Sequence, residues 1–161
     1  MDESLEPVRI AAALLHELCR HALESQPEEC CGLVSGDGVV RFGRAYRCRN
    51  DMSELHRLDP TRNPRDGREA FHMNEADQQR ALEEIEGKGE RVTAVYHSHV
   101  GKGAYFSELD QLYAGDAGYP FPDADQIVIA VFERRVFGHA VFRRSRESGR
   151  FEGRRIAPEA P

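Results

Sequence analysis

Residues 91–99, Arg-Val-Thr-Ala-Val-Tyr-His-Ser-His, decide how this chain folds. β-Branched and aromatic side chains dominate residues 91–96, and this predicts a strand that runs directly into the first histidine. Strand side chains alternate between two faces, so His97 and His99 project from the same face, ~7 Å apart along the backbone. Two imidazoles at this separation can converge on one metal ion, while Ser98 points to the opposite face.

A serine and an aspartate follow the histidines at short distance. Ser107 opens the run 107–114, whose other residues favour a helix, and a serine in this position predicts an N-terminal cap. Asp110 lies three residues further on and shares a helix face with Ser107. With the two histidines, Asp110 completes three N/O ligands. One tetrahedral Zn²⁺ per chain would keep its fourth position for water, which is typical of catalytic zinc sites.

The order His-Ser-His, seven residues, Ser, two residues, Asp is similar to the signature of the JAMM (MPN-type, JAB domain) zinc metalloproteases, and the match has no gap. That family also has a glutamate in a Pro-x-Glu-x-Cys-Gly setting. Residues 27–32 supply this setting, with Glu29 at the matching position and Glu28 as its neighbour.

The resemblance implies a hydrolase with metal-activated water. His97, His99 and Asp110 would be the zinc ligands. Glu29, near the metal but not bound to it, would accept the proton of the attacking water and deliver it to the leaving amine. Ser107 would donate a hydrogen bond to the tetrahedral oxyanion. No other cofactor-binding residue is predicted.

The chain most resembles the short prokaryotic members of this family, which release amino acids or peptides from ubiquitin-like sulfur-carrier proteins. The resemblance therefore implies a peptide or isopeptide bond after the C-terminal Gly-Gly of a small β-grasp carrier as the substrate. A glycine tail can lie extended in a narrow channel because it has no side chains to exclude. Two alternatives stay open: a non-catalytic MPN-type scaffold or binding module, and a small-molecule amidohydrolase.

Composition narrows the class of protein further. A length of 161 residues predicts a single domain over residues 1–161, and the net charge of -6 disfavours nucleic-acid binding. No apolar run approaches the ~20 residues that span a bilayer, and the acidic N-terminus is unlike a signal peptide, so we expect a cytoplasmic protein without a membrane partner. The cysteines lack Cys-x-x-Cys spacing and are expected to be reduced: Cys19, Cys30, Cys31 and Cys48.

Three further features require an interpretation. His16 and His21 resemble the two histidines of the His-Glu-x-x-His motif of zincins. They are five residues apart on a helix, however, which places the two rings ~140° apart, so they cannot share a metal ion. Gly101-Lys102-Gly103 is too short for a phosphate-binding loop. Arginines crowd the last quarter of the chain, either as a solvated face or as a patch for an acidic protein partner: Arg134, Arg135, Arg143, Arg144, Arg146, Arg150, Arg154 and Arg155.

Hydrophobic periodicity predicts the remaining elements. Helices are expected at 10–24 and 74–86, the second capped by Asn74, and strands at 32–35, 39–42, 45–48, 126–132, 136–142 and near 150–156. Residues 50–70 are expected to be irregular, either flanking a substrate groove or forming a surface excursion. This order indicates an α/β domain with a mixed β-sheet flanked by helices. The family resemblance implies, more specifically, the three-layer cytidine-deaminase-like fold.

Overall fold

A computed structural model describes residues 1–161 and contains eight strands and four helices. In chain order they are β1 (Val8–Ala11), α1 (Ala12–Ser25), β2 (Cys31–Gly36), β3 (Arg44–Cys48), α2 (Met52–Leu58), α3 (Glu75–Gly87), β4 (Arg91–Val100), α4 (Glu108–Gly115), β5 (Asp125–Phe132), β6 (Arg135–Arg144), β7 (Phe151–Arg154) and β8 (Ile156–Glu159). None of the helices has the length and apolar character that crossing a bilayer requires.

Six strands form one mixed sheet in the order β3-β2-β4-β5-β6-β7. Its two central strands, β4 and β5, are parallel, and every other neighbouring pair is antiparallel. Helix α1 packs on one face through the largest apolar cluster, whereas α3 and α4 pack on the other face through two smaller clusters. The mixed sheet between two helical layers confirms the predicted three-layer α/β fold.

The face that each residue of β4 presents explains where the site forms. Tyr96 is fully buried in the cluster under α1, whereas Val95 belongs to the cluster under α3. Because faces alternate along a strand, His97 and His99 lie on the same side as Val95. The predicted strand and the common face of the two histidines are therefore confirmed, and the histidines lie beyond the apolar cluster under α3.

Four local predictions were wrong. Residues 10 and 11 belong to β1, and the single strand expected near 150–156 is two strands, of which β8 pairs with β1. Residues 39–42 form a turn, because Asp37 Oδ1 accepts hydrogen bonds from the amides of Val39 and Val40 at 2.7 Å each. The stretch 50–70 contains the short helix α2.

The C-terminal arginines make several contacts within the chain. Arg143 binds the buried carboxylate of Asp125 through two nitrogens, at 2.9 and 2.7 Å, at the edge of a cavity of about 220 Å³. Arg150 pairs with Glu108 at 2.6 Å, and Arg144 donates to a backbone carbonyl of α4 at 3.0 Å. Three of the eight arginines therefore bind other segments of the chain.

Tyr96 joins the sheet to α1 directly behind the histidine pair. Its hydroxyl lies 2.7 Å from Nδ1 of His21, and the two rings meet edge to face. The phenol ring crosses Gly32, its register partner on β2. A Cβ atom on Gly32 would lie 2.5 Å from the Tyr96 ring and 2.3 Å from the carbonyl oxygen of Tyr46. This close approach requires glycine at position 32.

Replacing Gly32 by alanine should therefore strain the sheet under the site. We expect Gly32→Ala to lower the free energy of unfolding by about 2 kcal/mol or more, measured by urea denaturation. Gly87→Ala is the matched control, because a Cβ there meets nothing within 4 Å, and its effect should stay within about 0.5 kcal/mol. Equal stability of the two variants would contradict the close approach.

His21 should make stability depend on pH. Burial lowers the pKa of His21 to about 4 from its ordinary 6.5, so between these values the unfolded chain binds a proton that the folded chain does not. Stability should be complete above pH 6.5 and fall as the pH drops towards 4, by at most about 1.4 kcal/mol per pH unit from this group. His21→Asn, which keeps a polar atom near Nδ1, should flatten that slope in unfolding measurements. His16→Asn, an exposed change on the same helix, should keep the wild-type slope.

Candidate metal centre

The three side chains predicted as ligands meet at one point at the end of β4. Nε2 of His97 lies 3.2 Å from Nε2 of His99. Asp110 Oδ1 is 3.7 Å from His97 Nε2, and Asp110 Oδ2 is 3.6 Å from His99 Nε2. Ligand atoms bonded at ordinary zinc distances in a tetrahedron lie about 3.3 Å apart. The group could therefore hold a metal ion after only small side-chain movements.

Hydrogen bonding leaves the correct nitrogen of His99 free for a metal. Its Nδ1 lies 2.9 Å from the carbonyl oxygen of Gly103, so Nδ1 carries the proton and donates it. The lone pair of Nε2 then points at the other two ligands, as in metal sites where a second hydrogen bond fixes the tautomer. His97 Nδ1 has no hydrogen-bond partner in the protein. Stacking on Phe71, with ring centroids 4.6 Å apart, orients the His97 ring instead.

The electrostatics of the cluster favour a bound cation. Burial lowers the pKa of His97, which keeps this ring neutral and able to coordinate. Burial also acts against a charged His99, but the nearby carboxylate of Asp110 and the hydrogen bond to Gly103 outweigh it and raise the pKa of His99. Burial opposes ionisation of Asp110, yet the adjacent rings of His97 and His99 hold its pKa far below the usual range. The ionised carboxylate of Asp110 favours a positive charge nearby, which is otherwise a proton on His99. A bound divalent ion would supply this positive charge instead.

Ser107 holds Asp110 in place as the predicted N-cap of α4. Its Oγ accepts a hydrogen bond from the Asp110 amide at 3.0 Å, and Asp110 Oδ2 accepts one from the Ser107 amide at 2.9 Å. This reciprocal capping box begins α4 at the residue after Ser107. The hydroxyl hydrogen of Ser107 remains free to donate to another acceptor.

Glu29 lies next to His99 because of the pairing of β2 with β4. Cys31 is the register partner of His97, so continuing this antiparallel register places Glu29 opposite His99 and on the same face. Ser98, on the opposite face as predicted, fixes the join, since its Oγ accepts from the Cys30 amide at 2.7 Å. Glu29 is only 3% exposed, and burial raises the pKa of its carboxyl group to about 8.

The two neighbouring glutamates differ in their surroundings. Glu28 accepts a hydrogen bond from the hydroxyl group of Ser53 at 2.5 Å. Ser53 Oγ in turn accepts a hydrogen bond from the Gly67 amide at 2.9 Å. Glu28 thus helps to hold the segment between β3 and α3. The carboxylate of Glu29 is buried beside His99 and Asp110, both of which influence its pKa. The structure therefore places Glu29, rather than Glu28, at the candidate centre.

Asn50 is a supporting residue that the sequence did not reveal. Its Nδ2 donates to the carbonyl oxygens of Glu29 and Ala70, each at 3.0 Å, and its Oδ1 accepts from the amides of Met52 and His72, each at 3.0 Å. One side chain thus joins the glutamate to both ends of the predicted irregular stretch. An asparagine two residues after a strand is the only local signal, and it also fits an ordinary turn.

An apolar cavity of about 380 Å³ adjoins the centre on the same sheet face. Val95 lines it two residues before His97, and Phe71 separates it from the His97 ring. Gln126, buried on β5, donates to the hydroxyl of Tyr119 at 3.0 Å and fixes one wall of the cavity. Four aromatic side chains line the cavity: Phe71, Tyr113, Tyr119 and Phe121.

A family model described as prokaryotic homologs of the JAB domain matches residues 11–145. The chain belongs to this family. The matched span includes Glu29, both histidines, Ser107 and Asp110. The JAB/MPN family includes metalloisopeptidases and also many inactive members, so membership supports a hydrolase or a scaffold role.

Solved structures share the fold of this prokaryotic JAB protein. A protein from Desulfitobacterium hafniense matches with a TM-score of 0.67 and 21% identity over 96% of this chain and 94% of its own. A protein from Salinibacter ruber gives 0.61 and 21% over 94% and 91%, and a JAB1/MPN domain protein from Archaeoglobus fulgidus gives 0.53 and 15% over 95% and 100%. Similarity at these identities establishes the fold alone. Comparison with curated proteins gives no match.

The ligand geometry makes a direct prediction for metal binding. After reconstitution, the protein should bind one Zn²⁺ per chain, and binding should raise its melting temperature. His97→Ala or Asp110→Ala should weaken affinity by more than the roughly 10–100-fold that loss of a supporting hydrogen bond costs, as measured by calorimetry and elemental analysis. His16→Ala, on the exposed side of α1, should bind normally. Wild-type protein without stoichiometric zinc would refute the site.

Proposed function

We propose that this chain is a zinc-dependent hydrolase that cleaves the amide bond after the C-terminal Gly-Gly of a ubiquitin-like sulfur-carrier protein. One observation carries the proposal: a buried carboxylate, Glu29, lies beside the three candidate ligands without being one of them. Its carboxylate oxygens make no hydrogen bond within the chain and are not among the fully buried unpaired atoms, so they are available to a bound water or substrate. A purely structural scaffold has no use for such a group, whereas a hydrolase needs it.

His97, His99 and Asp110 would hold the metal through Nε2, Nε2 and a carboxylate oxygen. When bound, zinc supplies Lewis acidity that lowers the pKa of a water molecule and polarises a carbonyl group. Phe71, stacked on His97, and Tyr105, 5.0 Å from the His99 ring centre, surround the ligands with apolar surface. An environment of this kind strengthens every charge interaction inside it.

Glu29 would transfer the proton. A carboxyl group with a pKa of about 8 is close to the working pH of most enzymes, so it can accept a proton and release it again. Glu29 would take the proton from the attacking water and give it to the nitrogen of the departing amine as the C–N bond breaks. Asn50, by holding the backbone carbonyl of Glu29, keeps the carboxylate on the side of His99.

Ser107 would stabilise the developing oxyanion. Its Oγ already accepts from the Asp110 amide, so its own hydrogen is the group left for the substrate. A donor aimed at an oxyanion in such a site typically contributes about 10²–10³-fold in rate. The same serine caps α4, so its removal would also loosen Asp110.

The surroundings of the centre are compatible with an extended tail as substrate. The segment between β3 and α3 flanks Glu29 through Gly67, whose carbonyl accepts from the Glu29 amide at 2.7 Å. This position favours the groove interpretation of residues 50–70 over a surface excursion. The aromatic cavity beside His97 offers space for one apolar side chain of the bound segment. A Gly-Gly tail is suited to the position next to the ligands, since it brings no side chain to them.

Cleavage of carrier fusions tests the proposal. Zinc-loaded protein should release the group attached after Gly-Gly, and a chelator should stop the release. Glu29→Gln should lower kcat by about 10³-fold or more while zinc still binds, because only the proton transfer is lost. Glu28→Gln, the matched control, should retain activity, and Ser107→Ala should lower kcat by about 10²-fold.

Three outcomes would contradict this scheme. Full turnover by Glu29→Gln would remove the assigned acid and base. Zinc-dependent turnover of small amides without turnover of carrier fusions would favour a small-molecule amidohydrolase. Zinc binding with no hydrolysis of either substrate would favour a scaffold.

A further inference from the structure

Two cationic side chains on loops attached to the candidate centre have no acidic partner. The chain contains only two lysines against 20 arginines. Lys88 is paired with Glu84 at 3.3 Å, whereas Lys102 is half-buried and forms neither an ion pair nor a side-chain hydrogen bond. Arg65 is exposed and likewise makes no such contact. Unpaired cations next to a reaction centre are suited to an anionic group of the substrate.

The loop that carries Lys102 is attached to a metal ligand. The Gly101 amide donates to the carbonyl of Val131 at 2.8 Å, and Gly103 accepts from His99 Nδ1 at 2.9 Å. Gly101 has a φ of 71°, which lets the chain turn sharply at the end of β4. Fixed on both sides, the backbone of Lys102 has a defined position relative to His99.

The loop that carries Arg65 is attached to Glu29. Gly67, two residues along, accepts the hydrogen bond from the Glu29 amide, and Asn50 fastens the same segment through Ala70. Lys102 and Arg65 are therefore carried by two different loops, one attached to His99 and the other to Glu29. Burial raises the pKa of Glu29, whereas the positive charges of Lys102 and Arg65 lower it. This opposite effect is consistent with both side chains lying near the carboxylate of Glu29.

We propose that Lys102 and Arg65 form an anion subsite for the α-carboxylate of the departing amino acid. The inference rests on the proposed function, in which Glu29 protonates the leaving nitrogen. In an amino acid the α-carboxylate is separated from that nitrogen by one carbon atom. If Glu29 reaches the nitrogen, the α-carboxylate would therefore lie near cations that flank Glu29. The C–N bond breaks, the carbonyl carbon gains the hydroxyl, the nitrogen gains the proton, and the α-carboxylate stays unchanged.

The subsite defines the substrate class. A single residue with a free carboxylate after Gly-Gly places its negative charge between the two cations. A bond inside a longer peptide, or an isopeptide bond to a lysine side chain, has no carboxylate at that distance. The chain would then remove one terminal amino acid rather than process an internal bond.

Binding to an inactive variant tests the subsite independently of catalysis. In zinc-loaded Glu29→Gln protein, acetyl-Gly-Gly-Ala with a free carboxylate should bind about 10-fold more tightly than its carboxamide, measured by calorimetry. Adding Lys102→Gln should reduce this ratio to below about 2, and Lys102→Arg should preserve it. Lys88→Gln is the matched control and should leave the ratio unchanged.

Equal affinity for acid and amide would overturn the subsite, and so would binding of neither at millimolar concentration. A preference that survives replacement of both cations, Lys102→Gln with Arg65→Gln, would also overturn it, since the carboxylate would then be held by another group. With carrier–alanine fusions, Lys102→Gln should raise KM about 10-fold for the acid substrate with little change in kcat. Carrier fusions that are not cleaved would contradict the proposed function, while the binding ratio still decides the subsite.

Discussion

The antiparallel pairing of β2 with β4 is the constraint on which the candidate centre depends. A shift of one residue in this register would turn Glu29 to the opposite face of the sheet, away from His99. Ser98 fixes the register by a buried hydrogen bond to Cys30, and Tyr96 fixes it from behind by filling the space above Gly32. The residues between and behind the histidines therefore determine the distance between the metal ligands and the acid.

Much of the fold and of the centre could be predicted from the sequence because the signals are local. The alternation around His97 and His99 lies within one strand, and the cap formed by Ser107 and Asp110 lies within one helical turn. Glu29 was different, because only the family resemblance, and no spacing rule, connected it with residues so distant in the chain.

The parts that sequence reasoning missed depend on contacts between distant segments. Strand β1 exists because it pairs with β8 at the other end of the chain, and nothing in either short segment indicates the partner. Asn50 resembles any turn former until its hydrogen-bond partners from distant segments are in place. In the sequence, Lys102 stands out only as part of an incomplete phosphate-binding motif. Its charge becomes relevant only because the fold brings Glu29 to the same centre.

The sequence separation of the site residues also has a consequence for folding kinetics. His97, His99 and Asp110 lie within one short stretch, so a small part of the chain suffices to bring them together. Glu29 joins them only when β2 and β4 pair, a contact that spans 68 residues at Cys30 and Ser98. Non-local pairings of this kind form late, because closing a long loop is entropically unfavourable. A nascent or partly unfolded chain could therefore capture zinc before it is able to hydrolyse anything.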